Sequence, residues 1–532
     1  MIREIKLFSV FALIALCSVG AEASAQQTAK PTPTPAISQQ PSPSPSPIAV
    51  ETLDQLTAKI RAKLQRPEVR RGQVGIKIVS LNSGRVVFEE NAEKYFMPAS
   101  NMKNFTVATA IEKLTPDFRF VTSVLAAAPV DPSGTVKGDL RIFGRGDVSI
   151  STSFSEGNYY KGLDGLADKI VAAGVKRIDG GLIGDETYFR GSPVPGTWEW
   201  DDLQWYYGAE ISALPLNDNA VDLTVMPGTS GSACAVNVSP SNTVLRVLNQ
   251  CTTVEAAGTR DLTIEKKVDR NMLEIRGTLP VGDRGFTGNV TVSRPAELFI
   301  ALLRQRLEQK GVVITGQTRL VNSRSTDPVP ETVEVARLES PPLSLIAAKT
   351  MKPSQNMYTE TLLWTIGEEA RRHAPVVAGV PPASPTDSSE LGLAEVKSFL
   401  TSIGVAPDGI IQHDGSGLSR HDLITPAAVV QLYLYMGKQS KYSQVWRDSL
   451  TIAGVDGTLK SRLTGTKAAG NLRGKTGTID QVSALSGYMS TAAGEQVIVS
   501  FVVNGVNVGR ERTKLIDEIV VDLANFNGKI DQ

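Results

Sequence analysis

The sequence predicts a mixed α/β fold: a body of helices and strands interrupted by one large β-rich insertion. Three observations carry that prediction. Helix-period patterns open the folded part and close the chain, at Leu53 to Leu64 and Lys514 to Phe526. Strand-period runs accompany them at Val74 to Val79 and Gln496 to Val503. Between these ends, from about Val121 to Glu339, the chain changes to short strands separated by Gly, Pro and Asp turns. A helix at each end of strand-containing segments suits one domain split by an insertion. The 532 residues suffice for about three domains.

The first residues read as an export signal. Arg3 and Lys6 precede an apolar stretch from Leu7 to Gly20, and Ala23-Ser24-Ala25 follows as an A-x-A cleavage site. The apolar core is short for a membrane span, so residues 1–25 are expected to leave before Gln26. From Pro31 to Pro47 prolines alternate with Thr and Ser. Such a run favours extended polyproline II and cannot bury apolar surface, which makes 26–48 a linker. No later stretch is long and apolar enough to span a membrane, so the expected location is the periplasm or cell envelope.

Folding starts near Ile48. Val74 to Val79 and Arg85 to Phe88 pair across Asn82-Ser83-Gly84. A helix from about Ser100 to Leu114 places Phe105, Ala108, Ile111 and Leu114 on one face, with Pro116 past its end. In the inserted stretch, Leu140 to Phe143 and the alternating Val221 to Val225 read as strands. Pro295 to Lys310 reads as a helix, capped by Ser293 and ended by Gly311. Helices follow at Leu343 to Lys349 and Ser354 to Arg372, then a Pro/Ser-rich loop from Ala374 to Ser389. Strands follow at Lys475 to Thr478, Ala484 to Met489 and Gln496 to Val503, and the last helix puts Leu515, Ile516, Ile519, Val520 and Leu523 on one face. The expected division is 49–120 with 340–532 as one discontinuous domain, and 121–339 as inserted domains.

Composition narrows the function. Formal net charge is +0, and no basic stretch interleaves with aromatics, so nucleic acid is not an expected partner. Of three cysteines, Cys17 leaves with the signal. Cys234 and Cys251 remain, and in an exported chain they are expected to form a disulfide, the alternative being two free thiols.

Three short strings carry the chemistry: Ser100-Asn101-Met102-Lys103, Ser354-Gln355-Asn356 and Lys475-Thr476-Gly477, followed by Thr478. They spell S-x-x-K, S-x-N and K-T-G, a set associated with penicillin-binding proteins and class A β-lactamases. A serine hydroxyl is a weak nucleophile until a base removes its proton. Residues three apart on a helix share a face, so Lys103 can reach Ser100. Lys103 serves as a base only if burial, a nearby positive charge such as Lys475, or the helix macrodipole lowers its pKa. Ser354 can relay a proton, and Asn356 can accept from Lys103 and donate to a substrate amide. Lys475 and Thr476 can bind a carboxylate, and Gly477 leaves the strand edge open to a substrate. The N–H groups of Thr478 and Ser100 could form an oxyanion hole. Alone, each string has a plainer reading: a solvated lysine, a helix cap at Ser354, a glycine bulge. Together and in this order they describe one machine.

Other chemistries lack their residues. The three histidines are His373, His413 and His421, and no H-E-x-x-H, Walker A loop or G-x-S-x-G elbow occurs. His413-Asp414 near Ser416 reads as a loop, and Arg145-Gly146-Asp147 as a turn.

Longer strings accompany the three motifs: Pro98-Ala99-Ser100, Pro116-Asp117-Phe118-Arg119-Phe120, Lys137-Gly138-Asp139-Leu140, Gly144-Arg145-Gly146-Asp147, Trp198-Glu199-Trp200-Asp201-Asp202, Asp414-Gly415-Ser416-Gly417-Leu418-Ser419-Arg420 and Asp456-Gly457-Thr458-Leu459. With these the chain resembles the class C low-molecular-mass penicillin-binding proteins, the serine D-alanyl-D-alanine carboxypeptidases of peptidase family S13. The resemblance implies a transpeptidase/β-lactamase-like domain, its antiparallel sheet flanked by helices, carrying two inserted domains. It implies removal of the terminal D-alanine from peptidoglycan stem peptides, cleavage of D-alanyl-diaminopimelate cross-links, and acylation of Ser100 by β-lactams, with no metal or cofactor. It also implies that Asp202 and Arg420 bind the charged end of the diaminopimelate side chain, with Asp480 lining that pocket. The competing reading of Asp202 and Arg420 is a salt bridge between them. A β-lactamase and a non-catalytic wall-binding protein are the alternative functions.

Overall fold

The computed structural model describes residues 50–267, 270–325, 332–373 and 387–531. The expected signal (1–25), the linker (26–48) and most of the Pro/Ser-rich loop lie outside the described residues.

The first helix, α1 (Leu53–Leu64), starts at a reciprocal cap. Thr52 Oγ1 accepts from Gln55 N, and Thr52 N donates to Gln55 Oε1. Strands β1 (Gln73–Ser80) and β2 (Val86–Glu90) then pair as a hairpin. Helix α2 is Lys103–Lys113, and helix α3 is Asn356–His373. The C-terminal part contributes β3 (Thr451–Ile452), β4 (Arg473–Ile479), β5 (Val482–Ser490), β6 (Gln496–Asn504) and α4 (Gly509–Asn525). The six strands form one antiparallel sheet in the order β3-β4-β5-β6-β1-β2. Strand β1 pairs with β6 along its whole length, from Gln73↔Asn504 to Ser80↔Val497. The chain ends therefore meet in the middle of the sheet, and the long excursion between them leaves the sheet intact.

The sheet is covered on both sides, as the alternation along β6 shows. Val497, Val499, Phe501 and Val503 pack with Leu56 and Ile60 of α1 and Leu515, Ile519 and Leu523 of α4. Ile498 and Val502 face the opposite core, with Phe105, Ala108 and Ile111 of α2 and Leu362 of α3.

Among the described residues, every strand between Val121 and Glu339 pairs only with others in that stretch. The largest assembly is a five-stranded sheet ordered Arg319–Val321, Leu182–Asp185, Leu140–Phe143, Val121–Ala126, Val333–Glu339. This stretch has its own apolar core, including Leu140, Leu166, Val221, Leu273, Phe299 and Leu303. One part breaks away: Tyr188, Phe189, Trp198 and Ile211 pack into the core that also holds α2 and α3. Phe189 meets Trp364 of α3 edge to face at 5.4 Å. Cys234 and Cys251 form the disulfide, with Cα atoms 5.3 Å apart.

Four boundaries differ from expectation. Ser100 lies in a 3₁₀ turn, Ala99–Met102, that precedes α2. Helix α3 begins at Asn356, because Ser354 has a left-handed φ of +68° that no helix accommodates. The inserted helix Pro295–Gln309 starts after Arg294, itself left-handed, and Ser293 does not cap it; Ser293 Oγ instead accepts from Lys266 Nζ at 2.7 Å. Helix α4 starts at Gly509, ahead of the expected Lys514. Among the described residues no helix is long and apolar enough to cross a membrane.

Closing a loop across 17 residues of separation stabilises by about 3 kcal/mol in the chain-entropy picture. The double substitution C234A/C251A is expected to lower the unfolding free energy by roughly that amount, measured by denaturant titration in oxidising buffer.

Candidate active site

The site begins with a turn bolted to the sheet from below. Ala99 has φ +48° and is fully buried. Asn101 Nδ2 donates to the carbonyl of Lys475 on β4 at 3.1 Å, and Ser486 Oγ on β5 donates to Asn101 Oδ1 at 2.6 Å. One turn on, Asn104 Oδ1 accepts from Tyr433 OH at 2.9 Å. Buried polar groups tied this way fix the turn's register on the strands. Gly477 is needed for the same closeness: a Cβ there would sit 2.6 Å from the Pro98 carbonyl. The glycine's first role is therefore the approach of strand to turn, a reason that sequence alone did not supply.

Ser100 stays partly exposed while Lys103 is fully buried. In a 3₁₀ turn residues i and i+3 eclipse, which brings Lys103 Nζ to 3.0 Å from Ser100 Oγ. Nζ also donates to Asn356 Oδ1 at 2.5 Å and to the carbonyl of Ser416 at 2.7 Å. Burial lowers the Lys103 pKa to about 7, against the opposing pull of Asp414, Glu360 and Asp422. Desolvation is thus the cause that wins among those the sequence left open. Lys475, on β4, is also fully buried; its Nζ donates to Ser354 Oγ at 2.8 Å and to the carbonyl of Thr476 at 2.8 Å. Burial, and then the charge of Lys103, holds Lys475 well below the usual lysine range. Thr476 Oγ1 lies 2.6 Å from Thr458 Oγ1, and Thr478 is exposed on the strand. All three strings therefore meet in one place. Among the described residues no group of His, Cys, Asp and Glu could hold a metal ion.

The D-Ala-D-Ala carboxypeptidase 3 (S13) family model matches residues 56–525. The chain belongs to that family. It is 32% identical over 491 residues to a D-alanyl-D-alanine carboxypeptidase of an Actinomadura species, covering 90% of this chain and 86% of the relative. It is 25% identical to the D-alanyl-D-alanine carboxypeptidase DacB of Haemophilus influenzae, covering 83% of this chain and 87% of that one. The crystal structure of penicillin binding protein 4 from Haemophilus influenzae superposes with a TM-score of 0.73 at 23% identity, over 87% of this chain and 99% of that one; it shares the penicillin-binding fold.

Within this S13 member the structure lacks the competing Asp202–Arg420 salt bridge and adds residues that motif reading missed. Arg420 does not pair with Asp202. Its Nε lies 2.9 Å from Glu199 Oε1, and its Nη1 donates to the carbonyl of Asp480 at 3.1 Å. Asp202 is pushed up to about 6 by burial and by its neighbours Asp201 and Glu199, and the hydroxyl of Tyr207 donates to it. The rival salt bridge is thus absent, because Glu199 reaches Arg420 first. Asn356 is also more committed than expected: its Nδ2 donates to the carbonyl of Tyr207 at 2.9 Å.

The missed residues lie behind Lys103. Glu360, one helical turn beyond Asn356, is fully buried and accepts from Gly415 N at 2.9 Å and Ser416 N at 2.8 Å. Burial, then Asp414, pushes its pKa up. The loop at His413-Asp414 is a tight cradle. Asp414 accepts from Gly417 N at 2.6 Å and Ser419 N at 2.8 Å, and no His-Asp-Ser triad forms; His413 N donates to Asp422. The signal available in the sequence was the unbroken run from Asp414 to Arg420.

Gly417 has φ +79°, and a Cβ on it would fall 1.8 Å from the Ala99 carbonyl. The substitution G417A is expected to displace the Ser416 carbonyl and cut covalent labelling by a fluorescent penicillin by about 100-fold, measured as a second-order rate constant.

Proposed function

We propose that this chain is a serine-type D-Ala-D-Ala carboxypeptidase, the activity of its family, working through an acyl-enzyme on Ser100. The observation that carries this reading is the buried Lys103 amine, 3.0 Å from the only partly exposed Ser100 hydroxyl, with Lys475 on Ser354 beside it. Near neutral pH a fraction of Lys103 is the free amine, because burial has lowered its pKa to about 7. That amine takes the proton of Ser100 as Oγ attacks the carbonyl carbon of the penultimate D-alanine. The oxyanion rests on the N–H groups of Ser100 and Thr478. Ser354 passes a proton to the amine of the departing D-alanine, drawing on the proton that Lys103 gained. The carboxylate of that D-alanine is held by Lys475, Thr476 and Thr478. Water then attacks the ester, returning the serine hydroxyl and releasing the shortened peptide.

The substrates are peptidoglycan stem peptides, and β-lactams acylate the same hydroxyl. Asp202 and Arg420 recognise a side chain that ends in both an ammonium and a carboxylate, as the opposite charges of the pair require. The same recognition supports endopeptidase cleavage of D-alanyl-diaminopimelate cross-links. The signal at 1–25 and the linker at 26–48 support export to the periplasm or cell envelope, where such substrates occur.

Labelling with fluorescent penicillin followed by mass mapping is expected to place the adduct on Ser100, and S100A to take no label. Slow release of the adduct fits the carboxypeptidase; rapid turnover of the penicillin would instead mark a β-lactamase. Because the free amine of Lys103 is required, the acylation rate should rise with pH and level off above about 7. Replacing Arg420 by Ala should raise KM about tenfold for a D-Ala-D-Ala peptide with a free diaminopimelate end, and leave a truncated peptide unaffected.

A further inference from the structure

Lys103 has two oxygen partners besides Ser100, and the inserted segment secures both. Asn356 Oδ1 accepts from Nζ, and Asn356 Nδ2 donates to the carbonyl of Tyr207 at 2.9 Å. The Ser416 carbonyl accepts from Nζ at 2.7 Å. It belongs to the peptide group whose N–H, that of Gly417, donates to Asp414 Oδ1 at 2.6 Å. The other carboxylate oxygen, Oδ2, accepts from the indole N–H of Trp198 at 2.8 Å and from Ser419 N at 2.8 Å. The path from indole to carboxylate to peptide to amine is unbroken. It is also dry, since Trp198 is 8% exposed, Asp414 1% and Lys103 0%. A carboxylate at the N–H end of a peptide polarises it and strengthens the carbonyl at its other end as an acceptor.

We propose that Trp198 is a positioning residue for the general base: it anchors Asp414, and Asp414 aims the Ser416 carbonyl at Lys103 Nζ. This rests on the reading of Lys103 as the base. The inserted segment then does more than present Asp202 to a substrate; it completes the surroundings of the amine that starts the reaction. Other groups also face that amine. Glu360 comes from α3 and holds the Gly415 and Ser416 amides. Asp422 comes from the same loop as Asp414 and shares a hydrogen bond with it. Lys475 comes from β4. Asp414 is the only one of these with a donor from the inserted segment on one oxygen and the lysine's own acceptor peptide on the other.

The two ends of the Trp198–Asp414 hydrogen bond have opposite electrostatic effects on Lys103. Removing the indole donor leaves the charge of Asp414 less compensated, so Lys103 keeps its proton to higher pH. Removing the carboxylate charge lets the proton go at lower pH. A purely structural contact would lower stability or the maximal rate and would leave the pH at which the rate rises unchanged.

The test compares the full chain with W198F, which retains an aromatic ring, and D414N, an isostere. The second-order rate of acylation by fluorescent penicillin is followed from about pH 5 to about pH 9, a range that spans the titration of a lowered lysine. The expected result is a rise displaced upward in W198F and downward in D414N, each by about half a pH unit or more, with a maximal rate reduced about tenfold in both. Where one variant does not fold, the direction of the other decides. Rises at the wild-type position, or displaced in the same direction in both variants, would overturn the proposal. Failure of the underlying functional reading looks different: the wild type itself would carry no label on Ser100.

Discussion

The structure depends on keeping one amine out of water. Transferring an ammonium to a protein interior costs several kcal/mol even after relaxation, so a buried lysine must be ringed by acceptors, shed its proton, or both. Lys103 does both. Its three oxygen partners come from its own turn, from a helix 253 residues away and from a loop 313 residues away. Any of these elements displaced by an ångström would leave a buried donor unpaired. The demand for acceptors thus ties the sheet-bound turn, α3 and the 412–424 loop into one unit.

A second buried lysine sharpens the constraint. The charge of Lys103 adds to burial in lowering the affinity of Lys475 for protons, and three buried carboxyls behind Lys103 oppose the effect of burial on Lys103 itself. Carboxyls so close together resist full ionisation, and Glu360 and Asp422 are both pushed up by burial and by Asp414. The result is a dry site in which several buried ionisable groups act on one lysine, rather than a single lysine tuned by one neighbour. Such an arrangement suits a reaction that moves one proton out of a hydroxyl and back into an amine.

The inserted stretch has its own sheets, its own core and its own disulfide, yet the segment from Tyr188 to Ala213 leaves that core and packs against α2 and α3. This explains how an insertion of such length stays coupled to the catalytic body. Trp198 and Tyr207 reach the partners of Lys103 from the same segment that carries Asp202 and the Glu199 carboxylate paired with Arg420. The family to which the chain belongs matches across both parts, residues 56–525.

By itself, the sequence determined the strings Ser100–Lys103, Ser354–Asn356 and Lys475–Thr478, because each depends on local spacing: a turn, a helix start, a strand. It also determined the strands and helices at the two ends, whose apolar periods are strong; for Cys234 and Cys251 it left a disulfide and two free thiols open, and the structure shows the disulfide. Only the tertiary structure decided how those pieces answer one another. Glu360 and Asp414 are ordinary acids in a sequence and become the supports of a buried lysine only through contacts 56 and 216 residues apart. Glu199, not Asp202, pairs with Arg420, because in a run of three acids the fold alone determines which one faces the guanidinium. Gly477 and Ser354 take their reasons from close approach and a left-handed backbone, neither of which leaves a periodic trace. The physical distinction is one of range: propensity and spacing act within a few residues, whereas desolvation and hydrogen-bond completion depend on every group that folding brings near.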